Sequence, residues 1–461
     1  MPSSVPPVPL VGDDVLVPCV DGQERPYLSC DAAASTAAFE SVLASVDAFL
    51  PWYSSVHRGA GYKSQRATDA YEMARESALR FAGRQGGDDV AIICRNTTEA
   101  INHLAYRLGL STEDVVVTTV VEHHANMLPW TRAACCRYVE CGMGGTFALA
   151  DVVDALEAQP RPRLLAVTGA SNITGWLPPI AGIVAAAHER GVPVLVDAAQ
   201  LAPHRPLPTG PDFIAWSGHK MYAPFGAGVL IGPRAVFRQG DPFIVGGGAV
   251  DLVSLDHVVW TEPPDREEAG SPNVVGAVAL AAAIDQFDEV GWAAVIAHDK
   301  ELAGALRRGL AAIRGVHLLG PDLGTETLPA ATFTVDGVPH GLVAARLSAE
   351  HGIAVRHGCF CAHPYLVRLL GLGTAEIEGY RVQAEAGDRS QMPGAVRASL
   401  GINGSSDHVQ RLCAAVSRLA SGEPAPVAYV RDPSTGDFRP DPASVRWLGA
   451  ARQHGSSCSP G

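Results

Sequence analysis

The residue type that says most about chemistry is the scarcest cation. Lysine occurs three times in 461 residues, at positions 63, 220 and 300. Lys220 follows a short apolar run, in Ser217-Gly218-His219-Lys220, ahead of Tyr222-Ala223-Pro224-Phe225-Gly226. Lysine can lose its proton and attack a carbonyl carbon, which arginine cannot, so Lys220 is a candidate imine-forming amine. The alternative is a solvated surface lysine. Asp197 ends the apolar run 191–197, where a carboxylate is costly unless a cation or donors satisfy it. Otherwise it is a helix cap or turn residue. Gln200 lies three residues on. Asn96-Thr97-Thr98 stands at a strand-to-helix turn, where backbone N–H groups and hydroxyls hold a phosphate or simply cap the helix.

Ten cysteines lie at 19, 30, 94, 135, 136, 141, 359, 361, 413 and 458, with no paired CxxC spacing. That pattern argues against a zinc ribbon and for reduced, mostly buried thiols. Only Cys359-Phe360-Cys361 sits among other unusual residues, with His357 and His363 on either side.

The elements that must position these groups alternate between short β-branched runs and helical stretches. Strands are expected at 90–94, 115–121, 164–168, 191–197, 213–216 and 228–231, with helices from 100 and at 183–190. This is the pattern of a mainly parallel sheet with helices on both faces, an α/β fold. A long Ala-rich helix at 274–290 bridges to a smaller α+β domain. That domain is expected to contain helices at 299–314, 341–351 and 406–419 and strands at 316–319, 331–335, 353–356 and 396–400, with Ser405 or Ser406 as an N-cap. The division reads as an N-terminal tail 1–24, a large domain 25–292 whose first residues pack on the small one, a small domain 293–420, and a C-terminal tail 421–461. Trp447 and Leu448 are candidate anchors of that last tail.

Composition closes other routes. The chain is 47% apolar and 18% charged, which excludes overall disorder, and its net charge of −13 argues against nucleic acid or an anionic membrane as partner. There is no apolar run long enough to span a membrane and no basic segment ahead of an apolar one at the N-terminus, so a cytoplasmic protein is expected.

A phosphate cradle, an acid for a pyridinium nitrogen and an imine-forming lysine are what a pyridoxal 5'-phosphate enzyme requires. The chain resembles the class V, fold type I pyridoxal-phosphate-dependent aminotransferase family, most closely its cysteine desulfurase/selenocysteine lyase branch. The resemblance rests on stretches in family order over roughly residues 25–420. They are Val56-His57-Arg58-Gly59 with Ser64-Gln65-Arg66-Ala67-Thr68, Asn96-Thr97-Thr98-Glu99-Ala100, and Glu122-His123-His124-Ala125-Asn126. Ser171-Asn172-Ile173-Thr174-Gly175, Asp197-Ala198-Ala199-Gln200 and Ser217-Gly218-His219-Lys220 follow. Glu268-Ala269-Gly270-Ser271-Pro272-Asn273 and Arg397-Ala398-Ser399-Leu400 complete the series.

The resemblance implies that Lys220 holds the cofactor and moves the Cα proton, while His123 stacks on the ring and Asp197 pairs with its nitrogen. Asn172 and Gln200 would contact the ring oxygen. Thr97, Thr98, Ser217 and His219 would bind the phosphate, with Ser271 reaching it from a partner subunit of a homodimer. Arg397 would grip the substrate carboxylate, with Arg356, Asn172 and His57 also on the substrate. In Arg356-His357-Gly358-Cys359-Phe360-Cys361-Ala362-His363-Pro364, Cys361 takes the place of the desulfurase nucleophile. Its thiolate would attack the sulfur of L-cysteine, or of a sulfur-containing analogue, leaving alanine and a persulfide, with a sulfur-acceptor protein as a further partner. His357 or His363 would favour the thiolate. A structural role for Cys361 is the alternative; a metal site built from Cys359, Cys361 and these histidines is not expected.

Two features depart from the family pattern. Cys359-Phe360 stands where this branch commonly has histidines. The stretch from Cys361 to Arg397 is long, with an insertion at 365–393 expected near the site entrance. The insertion could shield a persulfide, dock a partner or admit a larger substrate. The alternative function is a C–S lyase, epimerase or aminotransferase acting on a specialised amino acid.

Overall fold

The structure is a computed structural model that describes residues 8–84 and 87–445. Trp447 and Leu448 lie outside the described residues. The large sheet contains, in chain order, β1 (Asp89–Cys94), β2 (Val115–Thr119), β3 (Cys135–Val139), β4 (Leu164–Thr168), β5 (Val194–Asp197), β6 (Phe213–Ser217) and β7 (Gly228–Pro233). Across the sheet the order is β1-β7-β6-β5-β4-β2-β3. Pairings among β2 to β6 are parallel, while β7 runs antiparallel to both of its neighbours. Strands β2, β4, β5 and β6 are buried at every residue. That explains their continuous apolar runs, since helices cover both faces of a parallel sheet.

Helix α1 (Thr97–Arg107) follows β1, and α2 (Val274–Val290) leads into α3 (Trp292–Ala311). The first small-domain helix thus begins seven residues before its expected start at 299. Gly291, at φ 80°, makes the break between α2 and α3, a backbone angle that favours glycine. The small domain is an antiparallel sheet in the order β8 (Val316–Leu319), β9 (Ala330–Val335), β11 (Ala395–Ser399), β10 (Arg356–Gly358). Helices α3, α4 (His340–His351) and α6 (Ser406–Ala420) accompany it. Its core gathers Leu302, Leu306, Phe333, Leu347 and Val416.

The N-terminal segment joins the two units. Leu28–Ser29 pairs in parallel with Ile353–Ala354, and Leu28 and Cys30 enter the small-domain core. Both segments read as tails are built into the fold as far as they are described. Val8 and Leu10 belong to the large-domain core, and Leu16–Pro18 pairs with Glu24–Pro26. Beyond residue 421, Tyr429–Arg431 and Phe438–Pro440 form a hairpin. The Asp, Pro, Ser and Gly residues that suggested a tail make its turn, with Gly436 at φ 81°. Within the 365–393 insertion, the helix His363–Leu370 continues in from the Cys361 loop and α5 (Thr374–Glu385) follows.

Candidate active site

One cavity of about 710 Å³ lies at the carboxyl ends of the large-sheet strands, where open α/β sheets place ligands. Strands β1, β2, β4, β5 and β6 contribute through their carboxyl ends and the turns that follow them. After β1, Asn96 caps α1 by accepting from Glu99 N at 3.0 Å, and Thr97 and Thr98 line the cavity. Thr97 N donates to Ser217 Oγ at 2.7 Å, and the two hydroxyls meet at 2.6 Å. Gly228 allows this approach, since a Cβ there would lie 2.7 Å from Asn96 Cα. Two hydroxyls beside a helix N-terminus form a cradle for a phosphate-sized anion.

Lys220 closes the turn Gly218–Lys220 that follows β6. Burial pushes its amine down to about 8, Arg397 adds to the effect, and Asp197 and Cys361 oppose it. About a tenth of the amine is therefore neutral and nucleophilic at pH 7, far more than for an unshifted lysine. Asp197, buried at the end of β5, accepts from Ala199 N at 2.9 Å, and burial raises its pKa. A carboxyl so placed suits a buried cation such as a pyridinium N–H. Burial, reinforced by Lys220, holds His123 and His219 down to about 4, so both rings are neutral. His123 Nδ1 accepts from Ala125 N at 3.0 Å, which fixes the ring. Asn172 Oδ1 is buried without a partner, and Gln200 donates to Ala33 O at 2.6 Å. An orphaned acceptor, a buried acid, a lysine of lowered pKa and a hydroxyl cradle together fit pyridoxal phosphate.

The small domain supplies the opposite wall. Arg397 on β11 donates to Asn172 O at 2.7 Å and Asp31 Oδ1 at 3.0 Å; its Nε is buried without a partner. Its guanidinium also stands 5.2 Å from the centre of the Phe360 ring. Arg356, beside it in the sheet, pairs with Asp31 at 3.4 Å. Cys361 is exposed to the cavity, and its carbonyl accepts from His124 N at 2.7 Å. Phe360 and Cys361 have φ of 54° and 53°, a left-handed pair that costs roughly 1–3 kcal/mol per residue and persists where surroundings over-determine it. His363 stacks on His124 with centroids 5.0 Å apart, whereas His357 faces His340 at 3.2 Å and Asp437 at 3.3 Å. Cys359 is half-buried, and burial raises its thiol pKa.

Two expected residues are not brought to this cavity by their own chain. His57 lies near Tyr71 and Glu72, with its N–H on Thr68 Oγ1 at 2.9 Å. Ser271 is exposed just before α2. Glu268, in the same motif, accepts from Ile93 N at 2.8 Å and pairs with Arg75 at 2.9 Å, so it anchors that segment to β1. Residues absent from the sequence reading are equally placed. Asp31, Ala33, Ser35 and Thr36 hold Arg397, Gln200 and the His219 carbonyl. Asp31 is followed by three alanines, and no local pattern marks it. Glu122 is buried beneath the site, accepting from Thr119 Oγ1 at 2.7 Å, Asn126 Nδ2 at 2.7 Å and Thr168 N at 3.0 Å.

A buried lysine, a buried acid and a phosphate cradle at the strand ends of this sheet define an α/β enzyme of fold type I. The aminotransferase class-V family matches residues 28–412. A probable cysteine desulfurase of Vibrio cholerae is 34% identical over 414 residues, 87% of this chain and 94% of its own. A cysteine desulfurase of Klebsiella pneumoniae is 33% identical over 413 residues, with coverage of 87% and 94%. The apo cysteine desulfurase from Thermococcus onnurineus superposes with a TM-score of 0.76 at 30% identity, covering 86% of this chain and 95% of that one. The cysteine desulfurase CsdA from Escherichia coli gives 0.71 at 30% identity with the same coverage. The chain belongs to the aminotransferase class-V family, a family of pyridoxal-phosphate-dependent enzymes.

Proposed function

We propose that this protein is a pyridoxal-phosphate-dependent cysteine desulfurase that converts L-cysteine to alanine and carries the sulfur on Cys361. The observation that carries the reading is the convergence of Lys220 and Asp197 from one domain with Arg397 and Cys361 from the other on one cavity. Thr97, Thr98, Ser217 and His219 would hold the cofactor phosphate, Asp197 its ring nitrogen, Asn172 and Gln200 its ring oxygen, and His123 its face. Bound there, the cofactor supplies a sink for the electron pair released at Cα.

The protein's own groups do the rest. Arg397 takes the substrate carboxylate in a charge-assisted fork. Lys220, neutral in part, removes the proton from Cα and returns one to the carbon that loses sulfur. Cys361 Sγ attacks the substrate sulfur; an S–S bond forms as the Cβ–S bond breaks with its electron pair leaving to carbon. Alanine departs and Cys361 retains the persulfide.

A homodimer belongs to the same reading. Gly270, next to Ser271, donates its N–H to Gly247 O at 2.7 Å just ahead of the hairpin Val250–Val253 and Val258–Trp260, which exposes Leu252, Val253 and Leu255. An exposed apolar patch of this kind suits a second copy, through which Ser271 and His57 would reach the partner's site. Sedimentation of the wild type and a Leu252→Asp, Leu255→Asp variant checks this, and a monomeric wild type would refute it. Among the described residues no helix is long and apolar enough to cross a membrane. Among the described residues nine cysteines are free, which supports assignment to the reducing cytoplasm.

Incubation of the yellow holoenzyme with L-cysteine, with alanine and sulfur measured together, tests the activity. Cys361→Ala should keep the visible absorbance and lose both products. Turnover that survives Cys361→Ala but not Lys220→Ala would instead identify a lyase, epimerase or aminotransferase.

A further inference from the structure

The cavity extends past Cys361 into a chamber that the cofactor and amino-acid groups do not use. Its walls are His340 and His357 of the small domain, Arg389 and Met392 of the insertion, and Arg431 and Asp437 of the C-terminal hairpin. These residues form one connected group. His340 contacts His357 at 3.2 Å and the Met392 carbonyl at 3.3 Å, and His357 contacts Asp437 at 3.3 Å. Arg389 fastens the insertion to the hairpin turn, its N–H on Pro433 O at 3.0 Å and Nη1 on Ser434 O at 3.2 Å. Gly436 completes the closure, since a Cβ there would lie 2.6 Å from Arg389 O.

The charge of this chamber opposes that of the whole chain. The protein carries −13 overall, yet Arg389 and Arg431 face the cavity here against a single wall carboxylate, Asp437, while nearby Arg356 is paired with Asp31. Arg431 lies over Phe438 at 5.1 Å, and its buried Nε has no partner. Stacking holds the guanidinium plane in place and leaves its donors for a ligand. Preorganised guanidinium groups in a walled chamber recognise a carboxylate. The substrate α-carboxylate already has Arg397 on the other side of the site.

This inference rests on the desulfurase reading, in which sulfur left on Cys361 must be removed before another turnover. We propose that the chamber binds the carboxylate of a small thiol that accepts the sulfur from Cys361. The acceptor thiolate attacks the outer sulfur of the persulfide. A new S–S bond forms on the acceptor, the Cys361–S bond breaks, and Cys361 leaves with the electron pair as a thiolate. This exchange needs no external oxidant or reductant.

The two half-reactions can be read separately. Holoenzyme given one equivalent of L-cysteine should release alanine and retain a persulfide on Cys361, visible by intact mass. After desalting, discharge of that persulfide is timed with 3-mercaptopropionate and with neutral 2-mercaptoethanol, compared per thiolate. The carboxylate thiol should act about tenfold faster and saturate, equivalent to about 1.4 kcal/mol of recognition. Arg431→Leu should abolish the preference while alanine release persists. Arg389→Leu, at an exposed position, should reduce it and stands in if Arg431→Leu misfolds. Equal rates for the two thiols, or a preference that both variants retain, would overturn the proposal and leave the desulfurase reading intact. Rapid discharge only by a protein acceptor would do the same. Absence of alanine in the first step would overturn the desulfurase reading and this inference with it.

Discussion

Asn172 donates its side-chain amide to the carbonyl oxygen of Phe360 at 2.7 Å, across the boundary between the two domains. Its own carbonyl accepts from Arg397 at 2.7 Å. The turn after β4 therefore sets the height of both the Cys361 loop and the carboxylate-binding arginine. The left-handed backbone at Phe360 and Cys361 persists where neighbours over-determine it, and this bond is one such constraint.

Asn172→Ala removes the bond to Phe360 together with the proposed contact to the ring oxygen, and leaves the backbone bond to Arg397. Asn172→Asp, which keeps a side-chain oxygen and loses the Nδ2 donor, isolates the Phe360 bond. Persulfide formation on Cys361 should slow by about tenfold, the equivalent of one lost hydrogen bond of about 1.4 kcal/mol. The KM for L-cysteine should change far less. Rapid-quench mass analysis of Cys361 alongside steady-state KM separates the two effects. A loss confined to KM would contradict this role.

Arg397→Lys keeps the charge and loses the fork. A buried charge-assisted pair contributes roughly 1.5–3 kcal/mol, so KM for L-cysteine should rise about 10- to 100-fold. An unchanged KM would remove Arg397 from substrate binding.

The pH dependence of cofactor capture follows from Lys220. Burial holds its amine near 8 rather than the ordinary 10.5, and only the neutral amine attacks the cofactor aldehyde. The capture rate of apoenzyme, followed by absorbance, should rise with pH and level off above about 8. Asp197 acts to raise this pKa; Asp197→Ala should therefore move the profile to lower pH. A rate still climbing toward 10.5 would mean an unshifted lysine.

Glu122 is a positioning residue beneath the site. Glu122→Ala leaves three buried donors unpaired and should cost about 3 kcal/mol in urea unfolding. Burial raises its carboxyl from 4.5 to about 8. A folded-state pKa above the unfolded one means that its linked stabilisation is complete below about 4.5 and is lost as pH rises through about 8. The stability gap between wild type and variant should therefore narrow across that range. A gap that widens would reverse the assigned direction.

The parts of the site legible in the sequence are those fixed by local rules. Asp197 and Lys220 stand out because a carboxylate ends one buried strand and a rare lysine closes the turn after another. Helix α2 has the expected bounds, 274–290, and Ser405 caps α6 through its hydroxyl, with His408 N at 3.2 Å. Residues 8–24 and 421–445 fold where tails are expected, because composition registers the turn residues of a hairpin more strongly than its short strands. Asp31 is not legible in the sequence because its role is to meet Arg397, 366 residues away.

By itself, the sequence determined the alternation of strands and helices, the motif order and the identity of the lysine, since each depends on residues close along the chain. Tertiary structure alone decided what the cavity contains. It set Cys361 and Arg397 on one cavity with Lys220, left His57 and Ser271 out of that cavity, and walled it with Arg389, Arg431 and Asp437. Those placements depend on how two separately packed cores meet, and no periodicity within either segment encodes that meeting.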